Sequence, residues 1–319
     1  MSDWERTQER NYDGGPMART LNLPALERVL AALDAPRNGA ALFALLSTLC
    51  VAGLLLAMAE SALAREQGLW GGIWAGLSWT ITYFGVNVTG ILLMDQAQGR
   101  PVRDVEEALK TALLRSHKVL MSLALVLAAV AVPVVALLGL LLLVKQPVVG
   151  APLFGVLVPL GVSGAGLLAL AVLVIVGPLS GPSVWAGNGA RATALMCWRQ
   201  FRHGLVESAA LMLAVMALTA AVTAATSFIV LSGARVMALL SVWWVGIELP
   251  PQQLMAGLFG YGLRSLGAAG APVAASPLGV AALVGGGVVF ALGLALPTLV
   301  YLRGCCAVYL ALSEGAEKE

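Results

Sequence analysis

Residues Val119–Val144 read VLMSLALVLAAVAVPVVALLGLLLLV, a stretch without one charged side chain. At 1.5 Å of rise per residue, roughly 20 such residues carry a helix across a hydrocarbon core. A membrane barrel strand needs a polar side chain at every second position. The run Leu137–Val144 (LLGLLLLV) has none. Five further stretches share this character: Ala40–Ala59, Leu69–Met94, Leu153–Val176, Leu205–Leu231 and Leu278–Leu302. The reading is an all-α integral membrane protein with six transmembrane helices.

The rest of the chain agrees. Of 319 residues, 59% are apolar and 11% are charged, against about 25% charged in a soluble globular domain. A formal net charge of +2 speaks against the basic field of a nucleic-acid-binding protein. Residues 1–39 form a polar N-terminal segment, 40–312 the membrane domain and 313–319 a polar tail. The first 39 residues hold no apolar signal-peptide core, so the first span is expected to stay as an uncleaved anchor.

Charge placement sets the expected orientation. Five Lys and Arg precede the first span, and the successive connections carry one, five, one, three and two. Two more follow the last span, so fifteen of the nineteen basic residues fall on one side. The positive-inside rule puts both termini and the second and fourth connections in the cytoplasm.

Three segments beside the spans read as interfacial helices. Leu23–Leu33 has Pro24 near its start, a position where proline suits a helix. Val102–Ser116 sets Val105, Leu109, Ala112 and Leu113 on one face with charges opposite. Ala190–Arg202 does the same with Leu195, Trp198 and Phe201 or Arg202. Such helices lie in the headgroup plane with Arg and Lys toward anionic lipid; the plainer alternative is that they only join spans. The long connection Ser232–Pro277 is expected on the outer face. Its Ala238–Leu249 stretch is too short to cross, and Trp243, Trp244, Phe259 and Tyr261 suit an interface belt.

Glu106–Ala128 aligns without gaps to Ala192–Ala214. The only two histidines, His117 and His203, coincide, as do Ser122 and Ser208. The two copies lie two spans apart and so share an orientation, which makes them parallel repeats.

Chemistry is sparse. Glu60, Asp95, Lys145 and Glu207 stand at span ends and the span centres carry no charge. Enzymes and ion carriers in membranes place ionisable groups at depth. No nucleophile elbow, zinc motif or phosphate loop occurs, so catalytic, cofactor and metal sites are expected to be absent. His117 and His203 lack a second ligand three or four residues away and read as interfacial residues. Cys50 and Cys197 read as small apolar residues; the adjacent Cys305 and Cys306 leave palmitoylation open beside a structural role. Thr80, Thr82, Asn87, Thr89, Thr219, Thr223 and Thr226 lie within spans, where interhelical hydrogen bonds are worth about 1 kcal/mol each; Asn87 is the most polar. Gly72-x-x-x-Gly76, Gly161, Gly164, Gly166, Gly285–Gly287 and Gly293 are expected to let helices approach closely. Pro133, Pro159 and Pro297 are expected to bend their spans, and Val158–Gly166 (VPLGVSGAG) to unwind.

Gly99, Pro101, Val102, Glu107, Ala108 and Leu109 form G-x-P-V-x-x-x-x-E-A-L after a span, and Gly177-Pro178 and Gly181-Pro182 precede a basic helix entering the next. Over residues 70–215 the chain resembles the six-helix membrane domain found beside some bacterial glycerophosphodiester phosphodiesterases and in stand-alone relatives. The ending Tyr301–Gly315, a span running into a short helix, also fits. The resemblance implies the fold and a bacterial inner membrane. It does not carry the phosphodiesterase activity, since that belongs to a soluble domain these residues do not contain.

The expected function is a non-catalytic subunit or scaffold of a bacterial inner-membrane complex, touching membrane lipids and other membrane subunits. The alternative is transport or handling of a lipid or small amphiphile. Candidate lipid or partner contacts are Asn87, Arg115, His117, Arg199, Arg202, His203, Trp243 and Trp244.

Overall fold

Asn38, Gly99 and Gly187 mark places where the chain must turn, and between them it is helical. The computed structural model describes residues 23–146, 150–245 and 277–316, and among these helix is the only regular structure. In chain order α1 is Leu23–Leu30, followed by a 3-10 turn over Ala31–Arg37. Then come α2 (Gly39–Ala64), α3 (Gly68–Ala97), α4 (Val105–Leu143) and α5 (Gly150–Ala171). A π-helical turn, Val172–Val176, joins α5 to α6 (Gly177–Trp185). The series ends with α7 (Ala190–His203), α8 (Leu205–Val245) and α9 (Pro277–Ala316).

Six helices are long and apolar enough to cross a membrane: Gly39–Ala64, Gly68–Ala97, Val105–Leu143, Gly150–Trp185, Leu205–Ser241 and Ala291–Glu314. The protein is an all-α polytopic membrane protein.

Several boundaries differ from the sequence reading. Residues 105–116 are not a separate interfacial helix but the first turns of α4, which continues as helix to Leu143 through Pro133. The fifth span does not stop at Leu231; α8 runs on to Val245 and carries Trp243 and Trp244 on a helix. The remainder of the expected outer segment, with Phe259 and Tyr261, lies outside the described residues. α9 runs through position 313 into the expected tail. Val158–Gly166 does not unwind: helix continues through Pro159. The irregularity in the fourth span lies lower, where the Gly177 N–H donates to the Val172 carbonyl five residues back. Pro178 follows at once, and a residue without an N–H leaves a carbonyl of the preceding turn without its donor. A widened π turn is a common way for a long helix to absorb that defect.

Contacts group the chain into two compact units. In one, Leu33–Leu113 with Met216–Arg303, α2 and α3 form a tightly packed hairpin. Its pairings are Asn38 with Leu92, Thr48 with Gly85, Ala52 with Ser78 and Leu63 with Gly71. Each step up α2 is a step down α3, so the helices are antiparallel. Ser78 Oγ donates to the Ala52 carbonyl at 2.8 Å. A Cβ on Gly71 would stand 2.6 Å from Leu63 Cγ, and one on Gly85 would overlap Thr48. Asn38 caps α2 by accepting the Ala41 N–H at 3.0 Å and donates to the Leu92 carbonyl at 3.2 Å. The Arg65–Gln67 turn places Glu66 at φ 59, the only left-handed non-glycine residue described.

The other unit comprises Met1–Ala32, Leu114–Val215 and Gly304–Glu319. Here a Cβ on Gly304 would stand 2.7 Å from Val215 Cγ1, so α8 and α9 touch almost backbone to side chain. Gly187 ends α6 at φ 112, a conformation that needs glycine. Beyond Ser122, α4 leaves its side chains exposed or half-exposed, and α5 buries only Gly150, Leu157 and Ala171.

Candidate functional site

α7 is a purely cationic helix of its unit. It reads ARATALMCWRQFRH, with three arginines, one histidine and no acid. Ala190, Thr193 and Cys197 fall on one side and are buried. Their side is fixed by hydrogen bonds: Thr193 Oγ1 lies 3.0 Å from Ser183 Oγ, and Asn188 Nδ2 donates to Ser183 Oγ at 3.1 Å and to the Tyr309 hydroxyl at 2.8 Å. At the C-terminal end, Gln200 Nε2 donates to Ser208 Oγ at 2.8 Å and to the Gly204 carbonyl at 3.1 Å. A Cβ at position 204 would overlap the Gln200 side chain, so glycine there lets the helix stop and α8 begin. Burial pushes the Cys197 thiol up to about 11.

The opposite side of α7 is exposed, and on it the charges do not lie opposite the apolar residues as expected: Leu195 is 58% and Trp198 51% exposed. They share the exposed side with Arg191, Arg199, Arg202 and His203. The Arg202 guanidinium sits 5.5 Å from the centre of the Trp198 ring. Small side chains take the packed face because they let α6 and α7 approach closely, and the large apolar ones are left outside. The 105–116 stretch behaves alike: Ala108, Ala112 and Ser116 are buried, while Leu109 and Leu113, expected on the apolar face, are exposed.

Arg115 and His117 on α4 belong to the same unit and are exposed. A Cβ on Gly187 would stand 3.6 Å from Arg115 Nη1, so this guanidinium lies against the turn leading into α7. The repeat pairs match in environment: His117 and His203 are both exposed, and Ser122 and Ser208 both fully buried. Arg191 escaped the sequence reading because it stands in the first turn, before the apolar spacing begins.

Asn87, Trp243 and Trp244 lie in the other unit. Asn87 is buried, and its Nδ2 donates to the Tyr83 carbonyl of its own helix at 2.8 Å. Trp243 and Trp244 are 83% and 82% exposed. In this unit Asp95 is the one buried ionisable side chain among the described residues. Arg103 grips both its oxygens at 2.7 Å. That hydrogen bond, against an opposing effect of burial, raises the Arg103 guanidinium above its ordinary value. Sequence spacing did not reveal this pair, because the chain turns at Gly99 and Pro101 between its members.

The same unit holds a groove of about 510 Å³ lined by Met216, Thr219, Ala220, Thr223 and Ala224 of α8 and Tyr301 of α9. Thr219 Oγ1 is shielded there without a hydrogen-bond partner, and Thr223 Oγ1 donates back to the Thr219 carbonyl at 2.7 Å. No group of three or more His, Cys, Asp or Glu suited to a metal occurs among the described residues. Cys305 and Cys306 are buried and none of the four cysteines forms a disulfide. No protein-family model, curated protein or solved structure matches the chain.

Proposed function

We propose that the chain is a non-catalytic subunit or scaffold of a bacterial inner-membrane complex, multi-pass, with both termini in the cytoplasm. The observation that carries this reading is the state of the span glycines. Gly72 and Gly76 on α3, and Gly155, Gly164 and Gly166 on α5, would meet nothing within 4 Å if each bore a Cβ. Glycine inside a helix costs about 1 kcal/mol relative to alanine, and lipid gives nothing back. A neighbouring membrane helix does, because small residues let backbones approach. Span glycines that pack against another helix of the chain are others: Gly71, Gly85, Gly161, Gly293 and Gly304. Purification from native membranes in mild detergent is expected to yield a larger species of fixed stoichiometry. Gly76→Leu with Gly164→Leu is expected to dissociate it without unfolding the chain. A lone monomer under several gentle conditions overturns the reading.

The groove beside Thr219 favours a second reading, handling of a lipid or small amphiphile. It is apolar apart from hydroxyls and lies within a membrane-length stretch of α8. Ala220→Phe fills it, and undiminished flux of an amphiphile in reconstituted vesicles would rule this reading out.

A further inference from the structure

We infer that the exposed side of α7 is a binding surface for the headgroups of anionic glycerophospholipids, held by Arg191, Arg199 and Arg202 with Trp198 and Leu195 set into the bilayer between them. The inference does not depend on the subunit reading. Three observations carry it.

The first is charge. Between Glu107 and Glu207 the chain has no acidic residue, while Lys110, Arg115, Lys118, Lys145, Arg191, Arg199 and Arg202 fall in that interval. None of the three α7 arginines has a carboxylate within ion-pair distance among the described residues. Among the described residues the cationic face is therefore open to an external anion.

The second is composition. The same side of α7 carries two large apolar residues that are more than half exposed. A water-facing helix gains nothing from them, and an ordinary acidic protein surface matches only the arginines. A phospholipid layer matches both, since it offers a phosphodiester and acyl chains a few ångströms apart. Arg202 stacked on Trp198 keeps a cation at the level of an aromatic ring, the arrangement found at the headgroup boundary.

The third is position. α7 links a membrane-length helix ending at Trp185 to another beginning at Leu205, so both its ends are tied to the membrane boundary. Its inner face is locked by the Ser183, Asn188, Thr193 and Tyr309 hydrogen bonds. The arginine side is thus presented by a fixed helix, with little ordering left for binding to supply.

Native mass spectrometry of the full chain, with phosphatidylglycerol and phosphatidylcholine offered at equal concentration, tests this. Each Arg near an anionic surface is worth about 1 kcal/mol, so the wild type is expected to retain the anionic lipid at least about tenfold better. The Arg191→Gln, Arg199→Gln, Arg202→Gln variant is expected to lose the preference to within about twofold, and the matching Lys variant to keep most of it. An unchanged preference in the Gln variant overturns the proposal. So does full displacement of phosphatidylglycerol by inorganic phosphate, which would make this a free-anion site. If the Gln variant does not survive solubilisation, salt on the wild type decides. The preference must shrink severalfold from about 50 mM to about 500 mM salt, and a salt-insensitive preference overturns it. A benzophenone amino acid at Leu195, irradiated in native membranes, is expected to give a lipid adduct; a protein adduct in its place overturns the proposal.

Discussion

The Asp95 carboxylate is 3% exposed, and its charged partner Arg103 is 25% exposed. Removing one member of such a pair strands a buried charge, whereas replacing both with neutral groups of similar shape avoids that cost. Arg103→Met is expected to destabilise the protein by about 2–4 kcal/mol, and Asp95→Asn with Arg103→Met to recover most of the loss. Thermal survival by size exclusion in detergent measures both. Cys197 gives a pH prediction. Its thiol is raised from 9.0 to about 11 by burial, so the folded state holds its proton where the unfolded state has released it. The Cys197 contribution to stability therefore falls as pH rises from about 9 to about 11, and unfolding in detergent across that window is expected to become easier unless Cys197→Ala is present. At pH 8 maleimide is expected to label Cys197 at least about a hundredfold more slowly than a cysteine placed at His203. Neither residue was singled out in the sequence for chemistry, because the feature that matters is what lies beside each one in space.

At the scale of the element, the α2–α3 hairpin shows how a helix pair closes in lipid. Its contact points are Gly71, Ser78 and Gly85 on one helix and Leu63, Ala52 and Thr48 on the other. Gly85→Leu is expected to cost more than about 2 kcal/mol through overpacking against Thr48, while Gly76→Leu, facing open space, is expected to stay within about 0.5 kcal/mol of wild type. Far-ultraviolet dichroism on heating distinguishes the two. The turn between these helices holds Glu66 at positive φ. A β-branched residue there is strained, so Glu66→Val is expected to lose about 1 kcal/mol and Glu66→Gly to lose none. The six spans were legible in the sequence because each is a continuous apolar run. The faces they pack with were not. Gly72-x-x-x-Gly76 has the spacing of a helix-packing motif, yet the glycines that pack on α2 are Gly71 and Gly85, which stand in no such motif. In α7, Leu195 and Trp198 have the spacing of a buried stripe and are exposed.

For the whole molecule, the placement of basic residues predicts the side on which each connection lies. Green fluorescent protein fused after Glu319 or within Ala190–His203 is expected to fluoresce in a bacterial host, and alkaline phosphatase at those sites to be inactive. The reverse pattern would invert the proposed orientation and put the α7 arginines on the outer leaflet. The two compact units differ in what they expose. One holds the tight α2–α3 hairpin and the Thr219 groove. The other holds the cationic α7 and the sparsely buried helices beyond Ser122 and through α5.

By itself the sequence determined that this is a six-span helical membrane protein, because entry into lipid depends on the transfer free energy of each run of about 20 residues, a local sum. Tertiary structure alone decided which side of each helix is packed. Lipid tails are as apolar as leucine, so no hydrophobic driving force sorts large apolar side chains inward. In residues 105–116 and in α7 close packing takes small and hydroxylated residues: Ala108, Ala112, Ser116 and Thr193 are buried, while Leu109, Leu113, Leu195 and Trp198 are not. So α7, whose sequence sets Leu195 and Trp198 apart from its charges, holds its arginines and its tryptophan on the same exposed face.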